Sequence, residues 1–236
     1  MSTENTRRRG RRPTLSLDTV VSNAVALLDE SGVAALTLRA LASRLDTGVG
    51  SLYHYVASKE DLINLATNEV MGEAIATLDL PDDPIDALRE LSMAFFTAMQ
   101  RHFWLGPYLM RDTTMQPNSM KLFELFGQQL LPLDLTPRQR FNAVTSLINF
   151  VTGFGAEMSE QHSAAPVANN DASKQEDLGT VADRWRAFDE EEFPFLHSIV
   201  DEFEHHDDAL QFQEGVDLFL SGIATLAGIP FAPGRP

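Results

Sequence analysis

Residues 47–54 read Thr-Gly-Val-Gly-Ser-Leu-Tyr-His, a run in which small hydroxyls, bare backbone and polar-tipped rings alternate over barely two helical turns. Thr47 and Ser51 can exchange hydrogen bonds with the edge of a nucleic-acid base, and Val49 suits the methyl group of a thymine. Tyr53 and His54 hold polar tips farther along. Gly48 and Gly50 each weaken a helix interior by about 1 kcal/mol relative to alanine, less near the helix start, but let the backbone come close to another surface. This is chemistry for reading a surface, with no nucleophile poised to attack it. Anion-binding candidates stand on either side: Thr37 and Arg39 open one helical pattern and Lys59 opens another. At a helix start, free N–H groups and the helix dipole already favour negative charge.

The elements that must hold these residues are legible from apolar spacing, which recurs at three and four residues nearly throughout and leaves little strand-like alternation. Leu17 to Ser31 reads as a helix capped by Ser16, with Val20, Val21, Ala24, Leu27 and Leu28 inward and Gly32 as its stop. Thr37 caps a short helix through Leu45, Asp46 and Thr47 make a break, and a third short helix covers Gly48 to Tyr55. Ser58 and Asp61 form a capping box that opens a fourth helix toward Leu78. The segment Leu-Pro-Asp-Asp-Pro at 80–84 then ends one pattern and starts the next. Helices follow at Ile85–His102, Leu105–Arg111, Asn118–Leu131, Pro137–His162, Gln175–Phe188, Phe195–Phe203 and Ala209–Gly228, with a mobile loop expected over 163–174. The second and third helices with the turn between them make a helix-turn-helix, whose second helix enters the major groove of DNA.

The charge distribution agrees with that reading although the net charge, −16, does not. Residues 1–60 balance to +2 and residues 61–236 to −18, so a nucleic-acid-facing end is joined to an acidic body. Arg-Arg-Arg-Gly-Arg-Arg at 7–12 is expected to be a disordered basic arm suited to a DNA groove, or a solubilising tail. No apolar core follows this arm and no apolar run nears the roughly 20 residues of a membrane span, so a cytoplasmic protein is expected. The absence of cysteine removes disulfides, thiolate metal sites and cysteine nucleophiles together. His102, His162, His197, His205 and His206 do not assemble a metal motif, because neighbours such as Glu-His-His-Asp-Asp at 204–208 point different ways on a helix. No phosphate loop, zinc-protease helix or nucleophile elbow occurs, so no enzyme activity, catalytic residue or cofactor is expected.

The run Thr37–Ala66, TLRALASRLDTGVGSLYHYVASKEDLINLA, with the helix before it, closely resembles the DNA-binding domain of TetR-type transcriptional regulators over about Leu15 to Met71. Asp46 departs from it where glycine is usual in the turn, and Thr47 where a small aliphatic residue is usual. FPFLHSIVDEF at 193–203 and FQEGVDLFLSGI at 212–223 resemble the regulatory domain of the tetracycline-repressor subgroup. The resemblance implies an all-α protein with a basic arm over 1–14, a three-helix DNA-binding domain over 15–71, and a helical regulatory and dimerisation domain over 72–236, joined by the fourth helix. It implies that Thr37 and Arg39 hold phosphates, that Val49, Gly50 and Ser51 lie nearest the bases, that Tyr53 and Lys59 clamp the backbone, and that His54 reaches either. It further implies a homodimer on a palindromic operator and a small-molecule effector, with a metal-chelated effector allowed. The stripe Phe212, Val216, Phe219, Leu220 and Ile223 suits either a dimer face or an internal core. Trp104, Tyr108 and Asn149 combine an apolar body or setting with a polar handle and, with His102, Phe123 and Phe150, are the effector-site candidates. The alternative is a DNA-binding adaptor whose bundle receives a protein partner.

Removing residues 1–12 is expected to lower affinity for operator DNA while leaving the dimer intact, as read by a binding titration and by mass in solution. Unchanged affinity at physiological salt would reduce the arm to a tail.

Overall fold

A computed structural model describes residues 15–111, 116–164 and 171–234. Among them the only regular elements are eleven helices. The arm at 1–14 lies outside the described residues. The chain divides into two compact units, one ending at Ala66 and one beginning at Thr67.

In the first unit, α1 (Leu17–Ala35) starts where Ser16 accepts a hydrogen bond from Thr19 N at 3.1 Å. It kinks at Gly32, whose φ of 72° is a conformation that side chains with a Cβ rarely adopt. α2 (Leu38–Arg44) starts where Thr37 Oγ1 accepts from Ala40 N at 3.0 Å. α3 covers only Val49–Leu52, shorter than the pattern predicts. Its backbone tightens after one turn, with Tyr55 N donating to Leu52 O at 2.9 Å, and two glycines and two exposed rings do little to prolong it. α4 (Lys59–Ala76) begins with the expected box: Asp61 N donates to Ser58 Oγ at 3.0 Å, and Asp61 Oδ2 accepts from Ala57 N at 2.9 Å. Val20, Ala24, Leu28, Leu36, Leu41, Leu52 and Leu62 are fully buried and form the core of this unit. Between α2 and α3, Asp46 takes a φ of 48°. Asp tolerates that left-handed geometry better than most residues, which reconciles the departure from glycine with an intact turn.

The division between the units falls inside α4, a few residues before Met71. In the second unit, α5 (Pro84–Arg101) is capped by Asp83, which accepts from Ile85 N and Asp86 N. Then come α6 (Leu105–Leu109), α7 (Pro117–Leu130), α8 (Pro137–Ala164), α9 (Asp171–Arg186), α10 (Pro194–His205) and α11 (Asp208–Ala227). α8 runs on and α9 starts early relative to the predicted loop at 163–174, of which 165–170 lie outside the described residues. α5, α8 and α11 pack around a cluster of rings: Phe96 stacks on Phe212 at 3.9 Å between centroids, and Phe150 and Phe154 close on the same ring at 5.6 and 5.4 Å. α9 and α10 pair through Trp185 stacked on Phe203 at 4.2 Å and through Arg186, which bridges to Asp201 and Glu204. Those two carboxylates hold the Arg186 guanidinium pKa above its ordinary value.

The stripe on α11 resolves toward the core. Phe212, Val216 and Leu220 are fully buried within this one subunit and Ile223 nearly so, so they are not available as a dimer face.

Replacing Asp46 by valine is expected to destabilise the fold by about 1–2 kcal/mol relative to replacing it by glycine, since only the former places a branched Cβ at positive φ. Denaturant unfolding of the two variants measures this, and equal midpoints would mean the turn relaxes freely.

Candidate nucleic-acid interface

The α2–turn–α3 unit exists because its inner residues are held. Leu52 is fully buried and Val56 nearly so, which turns the intervening and preceding positions outward. Gly48 and Gly50 are exposed, and a Cβ built on either meets no atom of the described residues within 4 Å. The space that glycine leaves here is therefore outside the molecule, available to an approaching surface. Val49, Ser51 and Thr47 are half-buried at the edge of that opening, while His54 and Tyr53 are exposed, the latter by 58%. Gly48 has ordinary extended backbone, with φ −84° and ψ 145°, so the turn itself does not demand glycine there. Thr37 and Arg39 are exposed at the start of α2.

Two cations of this unit, Lys59 and Arg44, make hydrogen bonds within the protein. Lys59 Nζ donates to Val33 O at 2.6 Å, just past the Gly32 kink, and an ammonium so placed still has two further donors for an anion. Arg44 contributes to the positive balance of the sequence, yet it is engaged: Nη1 and Nη2 donate to the two oxygens of Glu30 at 2.6 and 2.8 Å, and Nε to Asn23 Oδ1 at 3.3 Å. The bonds from Arg44 hold the Glu30 carboxyl pKa below its usual range. Arg44 thus braces α2 against α1, a role that pattern reading missed because its partners lie 14 and 21 residues away. Tyr55, also missed, ties the end of the α3 segment to the chain before α1 by donating its hydroxyl to Leu15 O at 2.6 Å.

Residues 20–66, which hold this arrangement, match the bacterial regulatory proteins of the tetR family, and residues 79–227 match the tetracyclin repressor-like C-terminal domain. The chain belongs to the TetR family. It is a DNA-binding transcriptional regulator. It is similar to the transcriptional regulator SCO7222, a TetR from Streptomyces coelicolor, with 31% identity and a TM-score of 0.77 over 91% of this chain and all of that one. It is 29% identical to the HTH-type transcriptional repressor DrrR1 of Streptomyces coeruleorubidus over 81% of this chain and 67% of that one. The fold is shared with ActR of S. coelicolor, whose structure in complex with actinorhodin aligns at a TM-score of 0.76 and 23% identity over 91% of this chain and 97% of that one. Among the described residues no helix is long and apolar enough to cross a membrane.

The family's second half places the six effector-site candidates in different settings. Trp104 is buried, with His102 against its edge at 6.2 Å between ring centroids. α6, which follows them and holds half-buried Tyr108, lies so close to α8 that a Cβ on Gly106 would stand 2.6 Å from the Gly155 backbone. Phe150 belongs to the ring cluster, Phe123 is half-buried on α7, and Asn149 is exposed on α8. A void of about 10 Å³ lies among Met71, Ala74, Leu78, Leu91, Phe95 and Leu122, and a groove of about 470 Å³ runs beside α7. None of the six candidates lines either space.

Arg39→Ala is expected to weaken binding to all duplexes by a similar factor and to lower the slope of log affinity against log salt by about 1. Alanine at Val49 or Ser51 should instead alter which base is preferred, by about 1–3 kcal/mol at one position. Titrations on matched and mismatched duplexes at several salt concentrations separate these effects. A change of preference alone in Arg39→Ala would make that side chain a base reader.

Proposed function

We propose that this regulator is a cytoplasmic repressor that binds a palindromic operator as a homodimer and leaves it when a small-molecule effector binds the second unit. The observation that carries the DNA-reading part is the open, glycine-lined start of α3, with hydroxyls and a small apolar side chain at its edge and no atom of the described residues filling the space. Thr47 to Ser51 and His54 then face base edges, and Thr37, Arg39, Tyr53 and Lys59 the phosphates. One four-residue helix reaches few bases, so specificity calls for two copies, and two-fold symmetric helix-turn-helix dimers read two half-sites about one helical turn apart.

α8 and α11 offer the surface for that pairing. Phe141 is exposed by 63%, Leu218 by 76% and Leu226 by 56%, large apolar side chains of the kind that mark an interface when they cluster. Asn149 is exposed on α8 and suits this face better than an effector cavity. Repression and ligand release are supported by relatives: DrrR1 is a transcriptional repressor, and ActR has been crystallised with actinorhodin. α4 is one helix with residues in both units, so displacement of its later turns by a ligand is carried along the helix that begins at Lys59.

Selection of bound duplexes from a random DNA pool, with the protein's mass in solution measured in parallel, tests the reading. The expected result is a palindrome with half-site centres about 10 bp or a multiple apart, bound by a species of twice the chain mass. No enrichment at low salt would remove the DNA-reading role and favour a bundle that serves a protein partner.

A further inference from the structure

The seam between α4 and α7 carries features that DNA reading and dimerisation leave unused. Asn118 N donates to Asn68 Oδ1 at 2.9 Å, and Asn118 Nδ2 donates to Asn68 O at 2.7 Å. A Cβ on Gly72 would stand 2.6 Å from Asn118 Nδ2, so this amide rests on bare α4 backbone and clasps the start of α7 to it. Beside the clasp, Thr67 Oγ1 and Ser119 Oγ are buried with no hydrogen-bond partner among the described residues. Buried hydroxyls in native proteins seldom stay unpaired, and each exception asks for a reason. A seam with spare hydroxyls on both helices has unused bonding capacity that a shift of α7 along α4 could employ.

Next to the clasp, residues of the same two helices line the open groove of about 470 Å³. Ile75, one turn past Gly72, faces it from α4, and Pro117, Met120 and Leu125 from α7, giving an apolar lining. Two charged side chains complete it, and they differ in availability. Glu124 accepts from Gln128 Nε2 at 3.1 Å. Lys121, exposed, has no ion pair or hydrogen bond among the described residues. Glu124 keeps its negative charge, since its partner is a neutral amide, so an apolar body that ends in one negative charge complements the trough with that charge at the uncommitted Lys121 end. We infer that the α4–α7 groove is a binding site for a small amphipathic monoanion, an apolar carboxylate or sulfonate, held by Lys121. This inference rests on the effector reading and gives it a place and a ligand class: an occupant bears on Ile75 and on the first turns of α7, hence on the Asn68–Asn118 clasp and on α4.

The test uses the full chain and two probes that share an apolar body, the anionic 8-anilinonaphthalene-1-sulfonate and the neutral N-phenyl-1-naphthylamine, each titrated by fluorescence. Lys121→Met, which keeps the stem and removes the charge, is expected to lower affinity for the sulfonate about tenfold, the loss of one charge-assisted bond, and to leave the neutral probe within about twofold. Ile75→Trp, filling the trough, should displace both, with circular dichroism and melting temperature confirming the fold. Equal sulfonate affinity in wild type and Lys121→Met overturns the site. Lys121-dependent binding that leaves a selected operator complex intact overturns its regulatory role. Because the titrations need no DNA, failure of the operator reading is seen separately, in the duplex selection.

Discussion

A four-residue helix cannot keep its shape in water, since the first turn of any helix fixes several residues for a single hydrogen bond. α3 exists because Leu52 and Val56 are buried and because Tyr55 is tethered to Leu15. Everything the reading surface does follows from that constraint. The outward residues need contribute nothing to helix stability, so they can be glycine, serine and valine, chosen for what they admit. The same dependence explains the bracing around it: Arg44 forks onto Glu30, Lys59 reaches Val33, and Asp46 holds a positive φ so that α2 and α3 meet at the required angle. A surface that is weak by itself is made stiff by its supports, which is how a site keeps its geometry when it meets a ligand.

The second unit solves another problem, that of burying rings while keeping faces for partners. On α11 the inward residues Phe212, Val216 and Leu220 go to the ring cluster, and Leu218 and Leu226 are left outside. Both sets are apolar and both repeat at helical spacing. The helix that anchors this subunit's core therefore also carries exposed apolar side chains away from it.

That two-sided helix shows what the sequence could and could not convey. Local signals were legible: the caps at Ser16, Thr37 and Ser58, the stop at Gly32, the aspartate before Pro84 and the departure at Asp46 all act within four residues of the backbone they shape. The helix-turn-helix could be placed because its motif is dense and mostly local. What stayed hidden depends on distant pairs. The Phe212 stripe gave no sign of which side faced inward, because a core and an interface have the same periodicity. Arg44 entered only the charge balance of the sequence, because its carboxylate partner has no helical register with it. α8 and α9 reach farther into the polar segment than composition suggests. The groove beside α7 brings Ile75 together with residues of 117–128, a pairing across more than 40 residues that no local pattern announces.

The engagement of Arg44 also bears on how an acidic protein holds an acidic polymer. With the balance over residues 1–60 at only +2 and that over 61–236 at −18, every cation spent on bracing leaves fewer for phosphate. Arg39 is exposed and Lys59 retains donors beyond its bond to Val33, so beyond the arginines at 7–12 the folded head has few charges with which to displace counterions. Affinity that the folded head builds on few phosphate contacts varies gently with salt. The acidic remainder of the chain adds to this by disfavouring any approach that does not lead with the head. Low basic charge, which by composition argues against a DNA-binding protein, thereby limits non-specific adhesion and sharpens the difference between an operator and the rest of the duplex.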